Sequence, residues 1–171
     1  MILCGIQTDA MQSNAYKLVL PRFPLVDYFS THFVMPTVEL ANSVAGTPFS
    51  DIKIPGDKPI FHNFSFNFLV NEGMTNYEEI LKWINNIGFA ESNTAFTNYS
   101  NKDAPYQSLG QQDAMVMVLS NKGNVLRQIT FFDAFPVSLS GGEFTSQDPT
   151  TSYISASVTM AYTRFALTPL S

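Results

Sequence analysis

Between Phe61 and Val70 the chain alternates strictly, with Phe64, Phe66, Phe68 and Val70 on one face and Asn63, Ser65 and Asn67 on the other. Period-two alternation marks a strand with one buried face. A second stretch, Tyr153–Phe165, sets Ile154, Ala156, Val158, Met160 and Tyr162 against Ser155, Ser157, Thr159 and Thr163. Read as one strand, it is roughly twice the usual length of about 5–6 residues. Ala15–Leu20, Tyr28–Met35, Ala114–Ser120 and Val125–Phe132 complete the strand set. The last two flank Asn121-Lys122-Gly123-Asn124, which carries the Asn and Gly of a tight hairpin turn.

One segment reads as a helix, Asn76–Ile87. Tyr77, Ile80, Leu81, Ile84 and Ile87 fall on one stripe at helical spacing, with Trp83 at its edge, placed to pin the helix to a sheet. Thr75 with Glu78 forms a capping-box pattern, and Gly88 stands where a left-handed C-terminal cap is expected. Pro36–Pro59, with four prolines and two glycines, reads as a long excursion or an extended hairpin, whereas Glu91–Gln112 and Ser138–Ser152 read as loops. Many strands, one helix and no β-α-β alternation predict a mainly β chain: an antiparallel two-sheet sandwich or barrel with one flanking helix.

At 171 residues the chain fits one domain and buries a sizeable core without disulfides or metal. Charged residues make up only 13%, about half the usual share of roughly 25%. Aromatics also reach 13%, so much of the surface is expected to be covered by other subunits. A net charge of −5, with Lys and Arg scattered singly, argues against tight nucleic-acid binding. A single cysteine, Cys4, excludes an intrachain disulfide and every multi-cysteine zinc module. No stretch approaches a membrane span, and the first residues lack the basic n-region of a secretory signal, so a cytoplasmic product is expected.

The residues offer little chemistry. His32 and His62 have no third ligand at an organising spacing, so structural or solvent-facing histidines are expected. Cys4 has no activating base nearby in sequence and reads as an ordinary thiol. Glu78 and Glu79 diverge by about 100° on a helix and cannot face one substrate. Asp51, Asp57, Glu72 and Asp133 fall in loops or at strand ends, where a solvated carboxylate is the default. Neither a phosphate-cradling glycine motif nor Gly-x-Ser-x-Gly is present. The expectation is no enzyme, no catalytic, metal or cofactor-binding residue, and no cofactor.

Several segments, in order, resemble the tail-tube family of contractile-tailed bacteriophages. They are Asn14–Pro21, Pro48–Lys58, the block Phe64–Glu72 running into Asn76-Tyr77 and Leu81–Ile84, then Phe131–Ser140 and the final strand ending Ala161–Phe165. The strand ending in Val-Asn-Glu before a Trp-bearing helix is the most specific part, and the resemblance covers roughly residues 14–166. It implies a β-sandwich domain over residues 14–171, preceded by a contact arm at residues 1–13. It further implies hexameric rings with a shared intersubunit β-barrel around a DNA-passing lumen. Adjacent tube, sheath or baseplate proteins would be the partners, in a virion assembled in the host cytoplasm, and tube, tube-initiator and tail-completion roles all remain open. Lumen candidates are Asn63, Ser65 and Asn67 with Ser155, Ser157, Thr159 and Thr163. The alternative is a small β-sandwich binding module, carbohydrate-binding or a virion decoration protein, using the loop aromatics Phe96, Tyr99 and Tyr106.

Overall fold

The computed structural model describes residues 11–88, 110–142, 144 and 153–169. Strand β1 (Tyr16–Val19) is followed by a short helix α1 (Pro24–Tyr28) and β2 (Ser30–Val34). Then come β3 (Val38–Ala45), β4 (Ile52–Phe61), β5 (Phe64–Leu69) and helix α2 (Thr75–Gly88). The chain closes with β6 (Gln112–Leu119), β7 (Val125–Ser140), β8 (Ser155–Ala161) and β9 (Arg164–Pro169).

All pairings are antiparallel. The 16-residue β7 is the spine of the fold. Its first half lies between β6 and β9, and its second half pairs with β8. Two ladders therefore share one strand: β1-β6-β7-β9, and β7-β8-β5-β2. Asp133, at φ +57°, sits where β7 passes from one to the other, inside a register break. An Asx-type residue tolerates this left-handed backbone, and the bulge turns the strand so that the two ladders face each other.

The facing layers meet in one core. Phe64, Phe66 and Phe68 of β5 are fully buried, as are Val158 and Met160 of β8, with Ala156 alongside. Leu18, Val116, Ile129 and Phe131 come from the other ladder. Phe64 and Phe131 rings lie 4.4 Å apart, centroid to centroid, and Tyr162 and Phe165 extend the aromatic cluster. The alternation in the two richest strands thus sets the core as expected, and Val70 packs at its margin.

Several expectations need correction. The final strand is not continuous: Tyr162 and Thr163 break it into β8 and β9, though both halves follow β7. Tyr28 ends a second helix rather than starting a strand, because Pro24 opens α1 and Asp27 holds it. In α2 the buried face is Asn76, Ile80 and Trp83, while Leu81 is exposed. Trp83 stacks on Phe23 at 5.0 Å, and its indole N–H donates to the Gly110 carbonyl at 2.6 Å. Tyr77, Ile84 and Ile87 pack against the core as the stripe predicts, and only Leu81 departs from it, because a tryptophan with a partner for its N–H outcompetes leucine for the interior.

The cap differs too. Glu78 pairs with Lys82 at 2.7 Å, and Thr75 Oγ1 accepts from Asn71 Nδ2. Asn76 fastens the helix instead: its Nδ2 donates to the Leu69 carbonyl at 2.8 Å, while Oδ1 accepts from the backbone N–H of Tyr77 and Asn71. Gly88 is the last helical residue and does not adopt the left-handed backbone.

The segment Pro36–Pro59 resolves into the β3–β4 hairpin, a separate two-stranded sheet. A Cβ on Gly56 would stand 2.4 Å from the Ala41 carbonyl oxygen, so only glycine lets the strands approach at the register shift. Loop aromatics Phe96, Tyr99 and Tyr106, Cys4 and the first ten residues lie outside the described residues.

Candidate assembly interface

The ladder β7-β8-β5-β2 buries one face and leaves the other uncovered. Strand register puts Ser65 opposite Thr159 and Asn67 opposite Ser157. Ser138 and Ser140 of β7 stand opposite Thr159 and Ser157 on the far side of β8. On β2, His32 faces Asn67 and Val34 faces Ser65. Paired residues share a face, so these side chains form one surface across four strands. Leu69 and Ser155, also paired, extend the same face, which carries hydroxyls, an amide, an imidazole, a valine and a leucine, with no Asp, Glu, Lys or Arg among these positions.

Two strand faces chosen separately from the sequence therefore become neighbours. Asn63 and Thr163 do not join them. Asn63 lies in the link between β4 and β5, and Thr163 between β8 and β9, where its N–H donates to the Phe132 carbonyl. Ser138 and Ser140 were missed because β7 runs eight residues beyond the expected Val125–Phe132, and His32, expected as a structural or solvent-facing histidine, joins the face through its register with Asn67. The ladder ends at β2 on one side and at the second half of β7 on the other, with no further strand pairing among the described residues.

The hairpin is a second uncovered surface. Val38, Leu40, Val44, Ile52, Ile54 and Ile60 are each about half exposed, and Phe49 at the tip is completely exposed. Register places Val38, Leu40 and Val44 on one face with Phe61, and Ile52, Ile54 and Ile60 on the other. An apolar ribbon with both faces in water is a signature of a surface awaiting a partner.

The other polar candidates are separate. His62 Nε2 lies 3.3 Å from a Glu39 carboxylate on the hairpin, far along the chain from His32. Asp51, Asp57 and Glu72 are exposed, and Glu78 and Glu79 occupy different environments on α2. The Asp133 backbone N–H donates to Asp113 at 3.2 Å, a structural contact at the β7 bulge. No cluster of metal-ligating side chains exists among the described residues. No described helix is long and apolar enough to cross a membrane.

Among the described residues, Asp27 and Tyr162 have shifted acidity. Half-buried Asp27 is pushed up to about 6 by burial, opposed by its hydrogen bond from the Leu20 N–H and by Lys17. Burial also raises Tyr162, whose hydroxyl has no partner. Both sit in packing positions, away from the uncharged face.

The profile of the phage tail tube protein family matches residues 9–168. The chain belongs to that family. The resemblance seen in the residues is thereby confirmed over residues 9–168 of this chain. Solved structures agree on the fold. A chain of the anti-feeding prophage cap, a tube terminating cap, matches at a TM-score of 0.65 and 15% identity, covering 97% of this chain and 95% of its own. A chain of the PVC sheath/tube terminator from an extracellular contractile injection system matches at 0.63 and 14%, covering 95% and 99%. One from the anti-feeding prophage baseplate, 6-fold symmetrised, matches at 0.58 and 9%, covering 95% and 97%. No curated protein sequence matches the chain.

Proposed function

We propose that this tail tube family protein is a non-catalytic ring subunit whose β7-β8-β5-β2 face lines a conduit for DNA. The observation that carries the reading is the absence of charge across that face in a chain of net charge −5. Small hydroxyl and amide side chains hydrate a channel yet offer phosphates no salt bridge, so a duplex slides without being held. The ladder's two ends differ, β2 at one and β7 at the other. Pairing of one copy's β2 with the next copy's β7 is a head-to-tail contact, and such contacts close into a ring when the rotation per copy allows. Closure also removes both exposed edges.

Six copies per ring is the number we favour, supported by a fold neighbour that comes from a 6-fold symmetrised baseplate. Other fold neighbours come from tube-terminating assemblies, which supports a place in the tube or at its end, against tube, sheath or baseplate proteins. The particle forms in the host cytoplasm and the protein resides in the virion tail; residues 1–13 serve as an arm beside the single domain. The experiment is Ser65→Lys with Ser157→Lys, which puts ammonium groups on neighbouring strands of the proposed lumen. Particles should assemble but eject DNA slowly, and added salt should ease the defect. Unchanged ejection from well-formed particles refutes the lumen assignment.

A further inference from the structure

His32 reaches the uncharged face only because β2 carries a bulge. Ser30 stands opposite Phe68, a fully buried residue, and its own hydroxyl is buried as well. Two residues later a regular strand returns to the same, inward face. Instead the register shifts between Ser30 and His32, and His32 stands opposite Asn67 on the outward face. Thr31 is the extra residue, and its hydroxyl donates to the Asn67 carbonyl at 3.3 Å, which holds the bulge against β5. Phe33, next along, turns back to the core opposite Phe66. A bulge gives up ladder pairing and re-aims a side chain. The side chain re-aimed here is an exposed imidazole.

That imidazole lands where nothing else titrates. Its row across the ladder is His32, Asn67, Ser157 and Ser140, and Val34, Ser65, Thr159 and Ser138 form the row beside it. On β1, the other strand near β2, Tyr16 turns inward to Phe33, with ring centroids 6.3 Å apart, and Lys17 projects from the opposite face to buried Leu18. Asp27 is engaged away from the face, with the Leu20 N–H. Imidazole is the side chain whose ordinary titration falls between about pH 5 and 8. A protonated His32 therefore meets no carboxylate on this face to neutralise it.

We propose that His32 is a pH-sensitive brake in the conduit: protonated, it adds a ring of positive charge that grips DNA by its phosphates, and neutral, it lets the duplex slide. The proposal rests on the lumen reading above. With six copies per ring, the row repeats at one height and brings six imidazole groups to the same level. Cations so placed attract phosphates that the hydroxyl rows leave alone. The attraction is electrostatic and is screened within about 8 Å at physiological salt, so it acts most strongly at low salt.

DNA ejection from intact particles, followed by dye fluorescence at low salt, tests this. Wild-type particles should eject at least about threefold more slowly at about pH 5.5 than at about pH 8, and added salt should remove the difference. His32→Asn should eject at the fast rate at both pH values, and His32→Lys at the slow rate at both. His62→Asn should keep the full response, because the chain's other histidine pairs with Glu39 on the hairpin. Asp27→Asn should keep it too, which separates the face from the half-buried acid pushed up to about 6.

A response that survives His32→Asn, or that vanishes with Asp27→Asn or His62→Asn, overturns the proposal. Equal wild-type rates at the two pH values also overturn it, and the lumen reading then still stands if Ser65→Lys with Ser157→Lys slows ejection. A lysine pair without effect removes the lumen reading and the brake together. Should His32→Lys prevent assembly at the strand edge, the comparison of wild type with His32→Asn decides alone.

Discussion

Replacing Asn76 by alanine should destabilise the fold far more than any other polar change on α2. Asn76 is fully buried, and its amide joins the end of β5 to the first turn of the helix. Alanine removes the donor to the Leu69 carbonyl and the acceptor shared by the Tyr77 and Asn71 N–H groups. A lost buried hydrogen bond costs about 1 kcal/mol, and stranding its buried partners adds about 1–3 kcal/mol. The sum is about 3 kcal/mol, a large part of a domain stability of about 5–15 kcal/mol. With a urea m-value near 2 kcal/mol/M, the midpoint should fall by about 1.5 M with m unchanged. The measurement belongs on dilute, unassembled protein, because assembly adds apparent stability. Thr75→Ala is the control, since its hydroxyl bond to Asn71 is exposed, and it should cost under about 1 kcal/mol. Equal effects for the two substitutions, or a loss below about 1 kcal/mol for Asn76→Ala, would refute the assignment of Asn76 as the fastening.

Phe66→Ala should cost about 3–5 kcal/mol by chemical denaturation, because the side chain is fully buried between the ladders; a cost below about 1 kcal/mol contradicts that placement. Tyr162→Phe should be neutral or stabilising by up to about 1 kcal/mol in thermal melts, since the hydroxyl it removes is buried without a partner; a clear loss would reveal an unseen hydrogen bond. For Asp27, a folded acidity raised to about 6 means the folded state binds the proton more tightly than the unfolded chain. Its contribution is present at low pH and lost as pH rises from about 4 through about 6. Discounted for partial exposure, Asp27→Asn should gain about 1 kcal/mol at pH 7 and nothing at pH 3.5; an equal gain at both would sink the argument. Deleting residues 44–54, the outer hairpin, should leave a folded protein that no longer assembles, read by circular dichroism and sedimentation.

The legibility of this fold in its sequence followed burial. Phe64, Phe66 and Phe68 alternate with polar residues because one face meets the core and the other does not, and that contrast is written residue by residue. The hairpin β3–β4 was harder to read, because both of its faces are exposed in a single copy and its apolar residues follow no inside. The Leu81 and Trp83 exchange turned on a hydrogen bond to Gly110, a partner distant in sequence that no helical periodicity contains. The break at Tyr162–Thr163 is likewise set from outside, by the bulge at Asp133 in the strand alongside. For the candidate interface, the polar faces of β5 and β8 were visible separately, but their adjacency depends on strand pairing. Ser138, Ser140 and His32 entered only with the register.

Electron cryomicroscopy of the protein at assembling concentration tests the central claim most directly. The account predicts closed six-membered rings in which Ser65, Asn67, Ser157 and Thr159 face the channel and β2 of each copy pairs with β7 of the next. Rings with the β1-β6-β7-β9 face turned inward, or a monomer at every concentration, would contradict it.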